Sequence, residues 1–309
     1  MNVLVSGVAS DIGMGIGRIL RTLPWVDTLY GMDIRSDHSG EFVFNYCAKA
    51  PKANDANYLE WLSNYIHQND INLFIPSSEA EISKIVNEDL NNISGALIIT
   101  TNAFVIQNSL DKHQCLNLLA SNGISVPKHG LVKYDVPDEF PVIVKPRSGQ
   151  GSKNILKITT KERYLSILDE NLVWQDYLEP DNQEYTCPVF YSEETGLRIL
   201  IIKRELQGGF TNKGEIIQNK EIFEYVSSIA NAMKLNGLMN IQLRLTDDGP
   251  KIFEINPRLS STLVFRDKMG FRDLIWLLEQ RLGKQISEYE PPKPGTRFYR
   301  GIQEYITNY

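Results

Sequence analysis

The chain has 309 residues, 42 % of them apolar and 23 % charged. That length is a prior of about two domains, and the composition excludes a disordered chain, a collagen and a disulfide miniprotein. Lys and Arg number 32 against 38 Asp and Glu, a net charge of −6. That balance argues against a partner gripped through nucleic-acid phosphates, and leaves room for a local basic pocket. Cys47, Cys115 and Cys187 lie far apart with no C-x-x-C, which reads as reduced thiols. His38, His67, His113 and His129 have no metal-ligand spacing, so a zinc enzyme is not expected. The N-terminus reads as a first strand and not as a leader. No stretch approaches the roughly 20 apolar residues of a membrane helix. The expectation is a soluble cytoplasmic protein.

Val3–Ser6 reads as an apolar strand and Gly13–Leu23 as a helix stopped by Pro24. Thr28–Asp33 is a second strand, and Tyr58, Leu59, Leu62, Tyr65 and Ile66 recur at helical spacing. Ile71–Pro76 (strand), Glu79–Leu90 (helix) and Ala96–Thr100 (strand) follow. Strands alternating with helices predict a parallel sheet covered on both faces. The pattern changes near Asn108. A helix over Lys112–Ser121 ends at Asn122-Gly123, and the β-branched strand Val142–Pro146 runs into a polar loop, Arg147–Lys153. Beyond it come strand Asn154–Ile158, helix Lys161–Leu168, strands Leu172–Tyr177, Tyr185–Phe190 and Arg198–Arg204, and helix Lys220–Lys234. Leu238–Leu245 and Lys251–Ile255 form a hairpin across Asp247–Pro250, and a helix spans Asp267–Arg281.

The strongest local signal is Lys251-Ile252-Phe253-Glu254-Ile255-Asn256-Pro257-Arg258. Strand alternation puts Glu254, Asn256 and Arg258 on one face and Phe253 and Ile255 on the other. A carboxylate, an amide oxygen and a guanidinium in line suit a hard cation and a phosphate. Gln242 on the opposite strand adds an oxygen. The bland alternative is a solvated stripe pairing Glu254 with Arg258. Lys145 precedes the glycine-bearing loop, an arrangement that cradles phosphate or is an ordinary hairpin loop; the Walker A order is absent. Gly7, Gly13, Gly15 and Gly17 follow a strand and open a helix, with Asp33 where a dinucleotide site keeps its ribose acid. That is either a nicotinamide fingerprint or a turn kept tight for packing. Glu79 is either a ligand-facing residue at a strand end or the start of its helix, capped by Ser78.

These pieces in this order resemble the ATP-grasp superfamily, in particular its carbamoyl-phosphate-synthase-like, carboxylate–amine ligase branch. The resemblance covers nearly the whole chain and is most specific at Glu254-Ile255-Asn256-Pro257-Arg258, an E-x-N-P-R. It implies an α/β fold: an N-terminal Rossmann-like (pre-ATP-grasp) domain over 1–108, then a two-lobed α+β ATP-grasp domain over 109–309, its lobes dividing near 178. It implies ATP and magnesium or manganese as cofactors. Lys112, Lys145 and the loop with Ser148, Gly149, Gly151 and Ser152 would hold phosphates. Gln175, Asp176, Tyr177 and Leu178 would receive adenine, and Glu184 the ribose. Gln242, Glu254 and Asn256 would be metal ligands. Arg258, Lys145 and Lys203 would be catalytic, Lys203 as part of a basic pair with Arg204.

The implied reaction activates a small carboxylate as an acyl phosphate, forms ADP and joins the acid to an amine. The partners are small molecules, without nucleic acid or membrane, and a homodimer by analogy. Two other classes are weighed. One is a nicotinamide oxidoreductase built on the first glycine loop; its Tyr-x-x-x-Lys match, Tyr289 with Lys293, encloses Pro291 and Pro292 and is not helical. The other is a non-catalytic nucleotide-binding protein. Acceptor specificity is expected in Gly7–Gly13, Pro76–Glu79 and Leu259–Arg266. Arg266 and Lys268 either bind an acidic substrate or are a solvated helix start.

Overall fold

The structure is a computed structural model that describes residues 1–149, 154–301 and 303–306. The chain divides into two compact units. The first joins Met1–Thr101 to Arg258–Pro292 and Tyr299–Tyr309; the second is Asn102–Pro257 with Lys293–Phe298. The division read from the sequence runs on to residue 309 in one piece, whereas here the chain crosses back at Arg258.

In the first unit, strand β1 (Asn2–Ser6) leads to helix α1 (Asp11–Leu20), then β2 (Thr28–Asp33) and β3 (Tyr46–Lys49). Next come α2 (Tyr58–Gln68), β4 (Leu73–Ile75), α3 (Glu79–Asn87), β5 (Asn92–Ile93) and β6 (Ala96–Ile98). The sheet order is β3-β2-β1-β4-β6-β5. All neighbours are parallel except β5 and β6. The continuous apolar run Val3-Leu4-Val5 is fully buried, as a parallel strand covered on both faces requires. Leu4, Met32, Tyr58, Leu62, Phe74 and Ile98 build its core. Strands β3 and β5 have no apolar run to betray them; both are short sheet edges. Helix α1 stops at Leu20, and the chain reaches Pro24 through single turns, Thr22 to Ile19 and Leu23 to Leu20.

Strand order reverses between β1 and β4, where open α/β sheets form a crevice. The two loops there are tied together: the Ser77 amide donates to Ser6 Oγ at 2.9 Å and Ser77 Oγ donates to the Ser6 carbonyl at 2.7 Å. Gly7 has φ +64°, and a Cβ there would strike Ser77 Oγ. A Cβ on Gly13 would strike the Gly7 carbonyl. These glycines are demanded by the turn itself.

The second unit begins with α4 (Ala103–Ser109), α5 (Lys112–Ser121), β7 (His129–Leu131), β8 (Val142–Pro146), β9 (Leu156–Ile158), α6 (Lys161–Leu165) and β10 (Leu172–Asp176). Its antiparallel sheet runs β7-β10-β8-β9 over Val142, Val144, Ile158, Tyr164 and Trp174. A second sheet takes β11 (Glu184–Ser192), β12 (Gly196–Ile199), β13 (Ile202–Gln207) and β14 (Phe210–Ile216). Helix α7 (Lys220–Ala232) and the hairpin β15 (Gly237–Thr246) and β16 (Gly249–Asn256) complete the layer. Ile222, Val226 and Ile229 of α7 share a core with Ile241, Leu243 and Ile252. The strand expected over Arg198–Arg204 is two strands. The break at Leu200 and Ile201 falls opposite Cys187 and Pro188, and proline has no N–H for the ladder.

The hairpin corrects the expected alternation. Gln242 pairs with Glu254, but Leu243 pairs with Ile252, so Phe253 is the extra residue of a β-bulge. Ile252 and Ile255 enter the core, while Phe253 and Glu254 both face the cavity described below. Phe253 therefore joins Glu254 rather than Ile255.

The helix expected over Asp267–Arg281 is also two, α8 (Leu263–Lys268) and α9 (Asp273–Arg281). Gly270, at φ +90°, ends the first. Its amide donates to Asp267 O and the Phe271 amide to Arg266 O, the paired bonds of a left-handed glycine cap. A last strand, β17 (Arg297–Tyr299), pairs beside β14. No described helix is long and apolar enough to cross a membrane.

Candidate functional site

The second unit encloses a cavity of about 390 Å³, of the size that holds a small ligand. One part of its wall is basic. Asp111 caps α5 by accepting from the His113 and Gln114 amides, which sets Lys112 at the helix start. The other carboxylate oxygen of Asp111 takes Arg147 Nε at 2.6 Å, and the Lys112 amide donates to the Arg147 carbonyl at 3.0 Å. The glycine loop is thus anchored at its root. Lys112 Nζ donates to the Gly149 carbonyl at 2.8 Å and lies 3.9 Å from Glu254 Oε1.

Lys145 stands on the central strand β8 and is buried, its Nζ donating to the Phe253 carbonyl at 2.8 Å. Burial pulls its pKa down to about 8, against the opposing pull of Glu254. An anion entering the cavity further favours the charged form. Cys115, behind these lysines, is a different case: burial pushes its thiol up to about 12, which keeps it inert.

The rest of the wall is a ladder of polar side chains along facing strands. Glu184 on β11 lies opposite Arg244 on β15, and Thr186 opposite Gln242. Arg204 Nε and Nη2 donate to Glu184 Oε1 at 3.1 and 2.9 Å. Arg204 Nη2 also donates to Gln242 Oε1 at 2.7 Å. Arg244 Nη2 donates to Glu184 Oε2 at 3.2 Å, and its Nη1 to the Leu178 carbonyl at 2.5 Å. A carboxylate offers about four acceptor positions, so Glu184 keeps capacity for a further donor. Gln175, Tyr177 and Leu178 line the same space. Lys157 Nζ sits 3.4 Å from the centroid of the Tyr177 ring.

The cavity therefore gathers Lys112, Lys145, Ser148, Gly149, Gln175, Tyr177, Leu178, Glu184, Gln242 and Glu254 from the residues picked out in the sequence. It does not gather four others. Asp176 turns away, its carboxylate accepting from the Lys128 amide at 2.9 Å. Lys203 pairs across the sheet with Tyr185, a core residue, so its neighbour Arg204 takes the cavity face. Asn256 is buried beside Asn240 at the end of the hairpin. Arg258 belongs to the first unit. Gly151 and Ser152 lie outside the described residues. Arg244 was missed, although Gln242-x-Arg244 alternation points to it.

Among the described residues no group of three His, Cys, Asp or Glu suits a metal. Gln242, Glu254 and Asn256 offer one carboxylate and two amides. The Asn256 side-chain nitrogen is buried with no hydrogen-bond partner; being a donor it does not meet a cation, so Oδ1 is the atom that would. Such a set fits magnesium, which takes oxygen ligands and draws several of them from phosphates.

In the first unit, Arg258 Nη2 donates to Glu79 Oε1 at 3.0 Å and Nη1 to the Leu259 carbonyl. Its Nε is buried and unpartnered. Glu79 thus meets Arg258 as well as starting its helix after the Ser78 cap. Asp33 is spent within the protein: Oδ2 accepts from the Ala9 amide and Oδ1 from the Arg35 amide, both at 3.0 Å. It closes the Gly7 turn, which accounts for the dinucleotide-like pattern by packing. Arg266 is fully buried and ion-paired with Asp273, so it is not part of a solvated helix start, and its charge is met within the protein rather than by an acidic substrate.

A family profile described as ATP-grasp in the biosynthetic pathway with Ter operon matches residues 169–301. The structure superposes on N5-carboxyaminoimidazole synthetase from Staphylococcus aureus complexed with ADP, with a TM-score of 0.74 and 17 % identity, covering 95 % of this chain and 80 % of that one. The match to an ATP-grasp family thus covers residues 169–301, and the fold is shared with solved structures. Over 207 residues it is 25 % identical to the coenzyme gamma-F420-2:alpha-L-glutamate ligase of Methanocaldococcus jannaschii, 58 % of this chain and 66 % of that protein. Over 222 residues it is 24 % identical to the carbamoyl phosphate synthase large chain of a Thermoanaerobacter species, 63 % of this chain and 20 % of that protein. The chain thus spans under two thirds of the length of these relatives. Other solved neighbours of the fold hold ADP or MgADP.

Proposed function

We propose that this protein is an ATP-dependent, ADP-forming ligase that activates a small carboxylate as an acyl phosphate and joins it to an amine. The observation that carries the reading is one cavity lined by Lys112, Lys145 and Glu254 together with Glu184 and the Gln175–Leu178 strand end. Relatives that are ligases by name support it. The first unit corresponds to a Rossmann-like pre-ATP-grasp domain, with the family division at 1–108 and 109–309. Its order, parallel except at β5, and its crevice at β1 and β4 support that. The protein works on small molecules, in the cytoplasm, as a homodimer.

A carboxylate does not react with an amine because oxide is too poor a leaving group. Transfer of a phosphoryl group to it makes phosphate the leaving group, and the amine then attacks the acyl carbon. In this chain Lys112 and Lys145 bind the phosphate oxygens. The lysines concentrate positive charge where the moving phosphoryl group carries its negative charge. Gln175, Tyr177 and Leu178 receive the base, and Glu184 accepts from the ribose hydroxyls. Gln242, Glu254 and Asn256 would hold magnesium, which when bound supplies charge neutralisation on the phosphates. Arg258 holds the acyl phosphate. No nucleophilic side chain is required.

The test is acyl-phosphate trapping. The protein is incubated with Mg-ATP, a pool of carboxylic and amino acids, and hydroxylamine, and the products are read by mass spectrometry. ADP together with a hydroxamate is expected and names the acid. AMP and pyrophosphate would overturn the activation chemistry.

A further inference from the structure

We infer that Arg266, gripped by Asp273, is a positioning residue for the acyl-phosphate arginine, Arg258, acting through the backbone of Leu259–Thr262. The inference rests on the ligase reading for its chemistry and on the first unit alone for its geometry.

Arg266 and Asp273 are 0 % and 1 % exposed. Their pairing is bidentate, Nε to Oδ1 at 2.9 Å and Nη2 to Oδ2 at 2.7 Å. A buried ion pair is a poor means of gaining stability, because desolvating both charges cancels much of their attraction. Its use lies in the remaining arm. Arg266 Nη1 donates to Ser260 Oγ at 2.8 Å and to Thr262 Oγ1 at 2.9 Å. Both hydroxyls lie on the short stretch that joins Glu254–Arg258 to α8. Thr262 sits at the N-cap of α8, yet its side chain makes no capping bond. The hydroxyl that would ordinarily close the helix start is given to Arg266 instead.

The stretch so held carries two carbonyls that hold other arginines. The Leu259 carbonyl accepts from Arg258 Nη1 at 3.0 Å, and the Ser261 carbonyl accepts from Arg300 Nη2 at 2.6 Å. Arg258 is steadied on its other side by Glu79. The glycine cap at Gly270 makes the arrangement possible, since it turns the chain so that Asp273, at the start of α9, meets Arg266 near the end of α8. Only a guanidinium serves here. Its planar fork meets the carboxylate with two nitrogens and leaves the third for the hydroxyls, whereas a lysine offers a single point charge.

The decisive variant is Arg266→Met/Asp273→Leu, which replaces the pair by apolar side chains of similar bulk, a change that is often neutral for stability. If the pair positions Arg258, the folded variant keeps its Tm and binds MgADP within about twofold of the parent by calorimetry. Amide hydrogen exchange over 259–262 rises about tenfold or more. Turnover in the hydroxylamine assay falls about 10²-fold at unchanged KM for ATP, the size expected when a reacting group is displaced by about 1 Å. Arg266→Lys does not rescue it. A folded variant with unchanged exchange over 259–262 overturns the inference, as does one with faster exchange and full turnover. Should the double variant fail to fold, Ser260→Ala/Thr262→Val keeps the ion pair and cuts only its link to the stretch, with the same expected losses and the same overturning results. If the parent forms no ADP with any acid, the ligase reading fails on its own, and the exchange measurement still decides whether Arg266 holds the stretch.

Discussion

The polar side chains of the two units are buried to different ends. In the second unit they line a cavity and pair with one another at its wall: Arg204 with Glu184 and Gln242, Lys112 near Glu254. Their side chains stay 8–23 % exposed where ion-paired, so each can exchange its protein partner for a ligand atom. In the first unit the comparable groups are sealed. Glu81 accepts from Ser6, Ser78 and Tyr58 at 2.5, 2.6 and 2.9 Å, and Arg266 spends all three of its nitrogens on Asp273, Ser260 and Thr262. A charge that is sealed and hydrogen-bonded on every side to the protein is not open to a ligand; it fixes the backbone around it. The first kind of burial makes a site, and the second holds a loop still. Arg258 stands between these extremes, paired with Glu79 but with its Nε buried and unpartnered.

The comparison breaks first at the cavity. Glu254→Ala should lower ADP formation by about 10²–10³-fold, the scale of losing one group that stabilises transition-state charge. Its thermal unfolding should stay near that of the parent, and parent-like turnover would remove Glu254 from the machinery. Lys145→Met should weaken MgADP binding about tenfold or more in calorimetry. The same variant should be no less stable than the parent in urea, because a buried cation is replaced by an apolar chain of similar length. A large loss of stability would mean that Lys145 is structural, like the sealed groups.

In the first unit the order of effects reverses. Gly13→Ala should destabilise by about 1–3 kcal/mol in urea, the range for overpacking, because its Cβ meets the Gly7 carbonyl. Nucleotide affinity should not change. The smallest effect concerns pH. Burial raises the Glu81 pKa above its ordinary 4.5, with the Ser6, Ser78 and Tyr58 hydroxyls opposing it. The folded state therefore binds more protons than the unfolded one from about pH 4.5 up to the raised value. Its contribution to stability falls as pH rises through that window. Glu81→Gln should flatten this part of the profile, measured as urea midpoints across acidic pH. An unchanged slope would assign it to other groups.

Much of the candidate site was legible because strand alternation and motif order are local. Glu254, Lys145 and Glu184 each stand on a strand whose apolar neighbours declare its inward face. Where the local rule failed, a tertiary feature had intervened. The bulge at Phe253 moved an aromatic ring from the expected core side to the cavity. Pro188 divided a strand that read as continuous. Gly270 broke the helix read over Asp267–Arg281 in two by taking a positive φ. Strand alternation places Arg244 beside Gln242, but its partner Glu184 lies 60 residues away, and the role of Arg266 depends on Asp273 beyond a helix break.

By itself the sequence determined the strand–helix alternation of the first hundred residues, the E-x-N-P-R strand, the lysine before the glycine loop and hence the resemblance to ATP-grasp proteins. These follow from side-chain period and residue chemistry, which neighbouring residues fix. Only the tertiary structure decided that the chain crosses back to the first unit at Arg258, that Arg204 rather than Lys203 faces the cavity, and that Asp33 closes a turn. Those outcomes depend on which strands pair and which groups are sealed from water, and both are settled by contacts between residues distant in the chain.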